Sequence, residues 1–159
     1  MEDRSGSVNI LVVDDMPVNI ELLKALLEPR GYHVIGAASG ADALKIIDKS
    51  VPDLILLDVM MPEMNGFETC RRIREKKELP YIPIIFITAS ELDQQNAVEG
   101  LDSGGDDYIR KPFQTFELIS RIKTNLRVKS THDQLSKIKS ELSRYVSLST
   151  VRMIDNMIT

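Results

Sequence analysis

Three short runs in this chain hold nothing but large apolar residues: Ile10-Leu11-Val12-Val13, Leu54-Ile55-Leu56-Leu57 and Ile84-Ile85-Phe86-Ile87. A strand with one wet face alternates apolar and polar residues. A run without alternation needs cover on both faces, which is the situation of a parallel sheet flanked by helices. Tyr32–Ala37 and the short Tyr108-Ile109 read as two further strands. The stretches between them carry helical spacing.

Pro17 suits a first helical turn, Leu22, Leu23, Leu26 and Leu27 form a stripe, and Gly31 marks the end. Ser39-Gly40 opens a second helix through Ile46 and Ile47. Asn65-Gly66 precedes a third, through Phe67, Cys70 and Ile73 into the charged run Arg74–Glu78. Asp93 is placed to cap a fourth, which Ser103-Gly104-Gly105 ends, and a fifth starts near Thr115. Five β-α units predict an α/β fold, a doubly wound five-stranded parallel sheet with helices on both faces and an extended C-terminal helix.

The 159 residues suffice for one such domain and an extra element. The expected division is a disordered tail over 1–8, a domain over 9–126, a helical or coiled-coil linker over 127–146, and the start of a further segment over 147–159, so that the chain as given stops inside a larger architecture. One cysteine, Cys70, excludes an internal disulfide, and the N-terminal stretch lacks the apolar core of a signal peptide. These features and the lack of a membrane-length apolar run predict a cytoplasmic protein. A formal charge of −4 argues against a chain-wide nucleic-acid surface.

Each strand ends on a polar group: Asp14-Asp15, Asp58, Thr88, and Lys111 just past the fifth. In open α/β sheets, ligands bind at the carboxyl ends of strands where the strand order reverses. Alone, each residue has an ordinary explanation: a helix cap, a turn, a strand end, a surface lysine. Together they predict a site. Three bare carboxylates repel one another, and an all-oxygen donor set favours Mg²⁺ over zinc or copper. A carboxylate there can attack a phosphoryl group, with Lys111 and the Thr88 hydroxyl taking phosphoryl oxygens.

These residues carry a resemblance. Asp14-Asp15, Asp58 within Leu-Leu-Asp-Val-Met-Met-Pro-Glu-Met-Asn-Gly, Thr88-Ala89, and Tyr108-Ile109-Arg110-Lys111-Pro112-Phe113 resemble a response-regulator receiver domain of two-component signalling, from about Asn9 to Leu126. The resemblance implies a flavodoxin-like strand order 2-1-3-4-5. It implies that Asp58 accepts a phosphoryl group from a histidine kinase or phosphotransfer protein. It further implies that Asp15, Asp58 and the Met60 carbonyl ligate Mg²⁺, with Asp14 helping through water, and that Thr88 and Tyr108 form a switch. A cis Lys111–Pro112 bond is implied too. Met60 and Ser90 occupy positions that tune phosphoryl lifetime in the family.

Beyond Leu126 the apolar phase changes. Val128, Leu135, Ile138, Leu142 and Tyr145 follow heptad spacing, which Ser147-Leu148-Ser149-Thr150 interrupts before a new helix over Val151–Ile158. The seam predicts a parallel homodimer that passes the state of Asp58 to an output domain. Seven basic against two acidic residues between Arg121 and Arg144 read as a solvated face, since nothing there reads bases. Glu141–Val151 resembles the segment before the catalytic domain of some receiver-linked nucleotide cyclases, though no cyclase catalytic residue is present. Two other classes fit less well. A phosphatase with an aspartyl-phosphate intermediate needs its Asp-x-Asp after the first strand. A flavin-binding domain needs a hydroxyl-rich phosphate loop where this chain has two acids. His33 and His132 suggest no metal site.

Overall fold

The computed structural model describes residues 6–89 and 94–158, with side chains omitted at 94–97 and 158. The expectations for Ser90 and Asp93 lie outside the described residues. The elements are β1 (Val8–Val13), α1 (Pro17–Leu27), a 3₁₀ turn (Glu28–Arg30), β2 (Tyr32–Ala37), α2 (Gly40–Lys49), β3 (Leu54–Asp58), α3 (Gly66–Glu75), β4 (Ile84–Thr88), α4 (Gln94–Asp102), β5 (Asp107–Arg110) and α5 (Thr115–Ile158). All strand pairs are parallel, in the order β2-β1-β3-β4-β5. β1 begins at Val8, inside the stretch expected to be tail.

The unalternating strands split their residues between two cores. Leu11, Val13, Ile55, Leu57, Ile84 and Phe86 pack on one face with Ala43 and Ile47 of α2 and Phe67, Cys70 and Ile73 of α3. Ile10, Val12, Leu54, Leu56, Ile85 and Ile87 pack on the other with Leu23 and Leu27 of α1 and Leu118 and Ile122 of α5. This is why the strands needed no polar face. Pro17 sits in the first turn of α1, Gly31 adopts φ +91 after the 3₁₀ turn, and the Ser39 hydroxyl accepts the Asp42 amide at the start of α2. One member of the α1 stripe departs from expectation. Leu22 is exposed, while Leu23 and Leu27 fill the sheet-facing side with Ile20 and Leu26 packed partly buried beside them.

The expected extended C-terminal helix is present, and it runs further than expected. The Ser147–Thr150 stretch does not interrupt the helix, and no new helix starts at Val151: α5 runs unbroken over 44 residues. The hydroxyls bond back along the helix, Ser147 Oγ donating to Ser143 O at 3.0 Å and Thr150 Oγ1 to Val146 O at 2.9 Å, so they do not compete with it. The seam residues Val128, Leu135, Ile138, Leu142 and Tyr145 are all exposed in the single chain.

Arg74 opens the charged run at the end of α3. It ties three segments together. Its Nε donates to Gly104 O (3.0 Å), its Nη1 to Ile82 O (2.6 Å) and its Nη2 to Asp106 (2.8 Å). Arg72, two residues earlier, only reaches Glu68 on the exposed face of its own helix. Arg74→Met is therefore expected to lower unfolding stability in urea by about 2–4 kcal/mol. Arg72→Met should stay within about 0.5 kcal/mol of the parent.

Candidate functional site

The strand order reverses between β1 and β3: the chain moves from β1 to β2 on one side, then returns to place β3 on the other. Asp14 and Asp15 follow β1 directly and Asp58 closes β3, so the three acids flank that crevice. One carboxylate oxygen from each lies within 4.8 Å of the others. Asp14 is buried, and its Oδ1 accepts the Met16 amide at 2.9 Å, which fixes its direction. Lys111 Nζ stands 3.5 Å from Asp14 Oδ2. The turn that delivers Lys111 is held by its amide donating to Thr88 O at 2.7 Å, and the Lys111–Pro112 bond is cis. Thr88 is buried at the tip of β4, in register with Arg110. Tyr108 pairs with Phe86 in the sheet and is half exposed.

The predicted residues thus converge at one end of the sheet, with Tyr108 further out along β5. Met60 contributes through its backbone, which lowers the Asp58 pKa, while its side chain faces solvent. The sequence reading missed the role of Gly66. A Cβ there would stand 2.3 Å from Asp58 O and 2.9 Å from Val59 Cα, while the Gly66 amide donates to Val59 O. Only a glycine lets the loop close beneath the phosphoacceptor candidate. Asn65-Gly66 was legible as a turn, but nothing in one sequence tells what backbone it presses against.

Asp58 is only 8 % exposed. Burial, followed by the charge of Asp14, raises its pKa from 3.8 to about 6; Lys111 and the Met60 backbone pull it down, and Asp15 pushes it up again. Three carboxylates against one ammonium leave an excess of negative charge that a divalent cation matches. The donors are all hard oxygens, so the residues present fit Mg²⁺.

The raised pKa has a direction in stability. The fold disfavours ionised Asp58, so its stabilising contribution is complete below its unfolded pKa of 3.8 and is lost as pH rises through about 6. Without divalent metal at neutral pH, Asp58→Asn is expected to be more stable than the parent by on the order of 2 kcal/mol. The gain should vanish in acid, and Mg²⁺ should narrow it by stabilising the parent. Urea unfolding at several pH values, with and without Mg²⁺, measures this. Equal metal-free stabilities at neutral pH would contradict the buried repulsion.

Comparisons with known proteins agree with this geometry. The response regulator receiver domain family matches residues 10–123. The response regulator PleD of Caulobacter vibrioides is 40% identical over 129 residues, which are 81% of this chain but 28% of that protein. The Vibrio cholerae chemotaxis protein CheY4 superposes with a TM-score of 0.71 at 29% identity, covering 76% of this chain and 99% of that one. The signal receiver domain of a signal transduction histidine kinase from Syntrophus aciditrophicus gives 0.70 at 37% identity, covering 76% and 91%. With five parallel strands in this order and acids at the switch point, the chain belongs to the response regulator receiver domain family.

Proposed function

We propose that Asp58 is the phosphoacceptor of this receiver domain and that its phosphorylation is the signal the chain transmits. The observation that carries the reading is the convergence of Asp14, Asp15, Asp58 and Lys111 at one switch point. An Asp58 oxygen attacks phosphorus, the new O–P bond forms as the bond to the donor histidine nitrogen breaks, and the imidazole leaves. Asp15, Asp58 and the Met60 carbonyl would hold Mg²⁺, with Asp14 assisting through water. The ion, when bound, supplies neutralisation of phosphoryl oxygens. Lys111 neutralises from the other side, and the Thr88 hydroxyl donates to a third oxygen. Thr88 and Tyr108 then act as the switch, Thr88 moving toward the phosphoryl group and Tyr108 turning inward.

The donor is a histidine kinase or phosphotransfer protein, and the setting is the cytoplasm. No helix among the described residues is long and apolar enough to cross a membrane. The domain is regulatory, and the effector lies in an output region; a nucleotide cyclase is one candidate, on the strength of Glu141–Val151. Residues 9–126 form the receiver unit in this reading, 127–146 the linker and 147–159 the approach to the output. Two chains pair in parallel through α5. Its seam from Val128 to Tyr145 lies roughly opposite the face on which Leu118 and Ile122 meet the core, so a partner helix would not displace the domain.

A small-molecule phosphodonor with Mg²⁺ should label the parent, and neither Asp58→Ala nor the parent without metal. Met60 has no amide or acid to orient an attacking water, so the label should outlast a few seconds; label on Asp58→Ala, or loss within seconds, counts against these assignments. Light scattering should show a dimer in at least one phosphorylation state. A monomer at all concentrations in both states would remove the pairing.

A further inference from the structure

α5 does not leave the domain where its core contacts end. Leu118, Ile122 and Asn125 face the body at alternating spacings of four and three, and Lys129 and His132 continue that row. Lys129 Nζ donates to Tyr81 O at 3.1 Å, and the His132 ring stacks on Tyr81 with centroids 4.5 Å apart and an interplanar angle of 20°. The Arg74 guanidinium carbon lies 5.5 Å from the same ring. The Tyr81 hydroxyl donates to Asp106 Oδ1, while Asp106 Oδ2 accepts both Arg74 and the Ile84 amide at 2.8 Å. Burial and the Asp106 carboxylate push the Tyr81 phenol above its ordinary range, which keeps it a donor. One aromatic residue before β4 therefore touches the helix beyond the domain and the residue immediately before β5.

We propose that Tyr81 is a clamp that fixes the direction in which α5 leaves the domain and couples it to the α4–β5 connection. The geometry behind this is specific. Asp106 leads into β5, which carries Tyr108 and delivers Lys111. A shift of β5 moves Asp106, Asp106 holds the Tyr81 hydroxyl, and Tyr81 holds Lys129 and His132. The clamp sits at the amino end of the strands, away from the acids, so its loss leaves the phosphoryl chemistry intact. The coupling half of the claim rests on the reading of Asp58 given above; the clamping half does not.

Hydrogen exchange of the full chain tests both halves. Lys129→Met and His132→Ala remove the contacts from the helix side without touching the body, and Tyr81→Ala removes the ring that His132 stacks on while keeping the carbonyl that Lys129 reaches. In each, amide protection over 127–136 should fall by up to about tenfold, the scale of one aromatic stack or one charged hydrogen bond. Protection over 84–88 and phosphodonor labelling of Asp58 should not change. In the parent, phosphorylation should alter exchange both around 106–110 and over 127–136; in the variants only the first change should survive. Unaltered protection over 127–136 in all three variants overturns the clamp. A phosphorylation-dependent change that still reaches 127–136 in the helix-side variants overturns the coupling. Failure to label Asp58 in the parent overturns the phosphoacceptor reading, and the coupling with it, while the protection data still decide the clamp.

Discussion

The arrangement depends on a repulsion held in place by the backbone. Asp14, Asp15 and Asp58 would separate if attached to mobile chain, yet β1 and β3 are hydrogen-bonded neighbours whose apolar residues are buried on both faces. The sheet supplies the free energy that keeps the acids together, and the acids return an electrostatic penalty concentrated at Asp58. A divalent ion bound by these acids would relieve that penalty, because its charge matches the excess that Lys111 leaves. Lys111, on an adjoining turn, gives partial relief meanwhile.

Much of this was legible in the sequence because it rests on period and position. Runs such as Leu54–Leu57 permit few alternatives to a strand covered twice, and a polar residue at each strand end is a one-dimensional signal. The strand order, by contrast, came from resemblance, since nothing in the apolar pattern says which side of β1 the third strand takes. The convergence of the strand-end residues was legible without that order, but which strands flank the crevice was not. Gly66 was visible as a turn residue, but its contact with the Asp58 carbonyl is a fact of three dimensions.

The failures have physical causes as well. Ser147–Thr150 looked like a break because hydroxyl residues favour caps and turns, but on an exposed helix they satisfy themselves on the preceding turn. Arg74, Tyr81 and His132 gave no sequence signal. Arg74 was hidden in a charged run, and the histidine was weighed only as a metal ligand. Each matters through a partner on another element, and single-chain periodicity does not report partners far apart in sequence. Asp106 ends a loop and Asp107 starts β5, yet Asp106 also gathers Arg74, Tyr81 and the Ile84 amide.

An unbroken α5 changes the mechanics of whatever lies beyond it. With no hinge after His132, the helix is a lever whose fulcrum lies at Tyr81. From His132 to Met157 the rise is about 37 Å, so a tilt of only 5° at the fulcrum sweeps the far end through about 3 Å. Displacements too small to repack the domain's own core are thus magnified at its outlet, and a rotation about the helix axis arrives there undiminished.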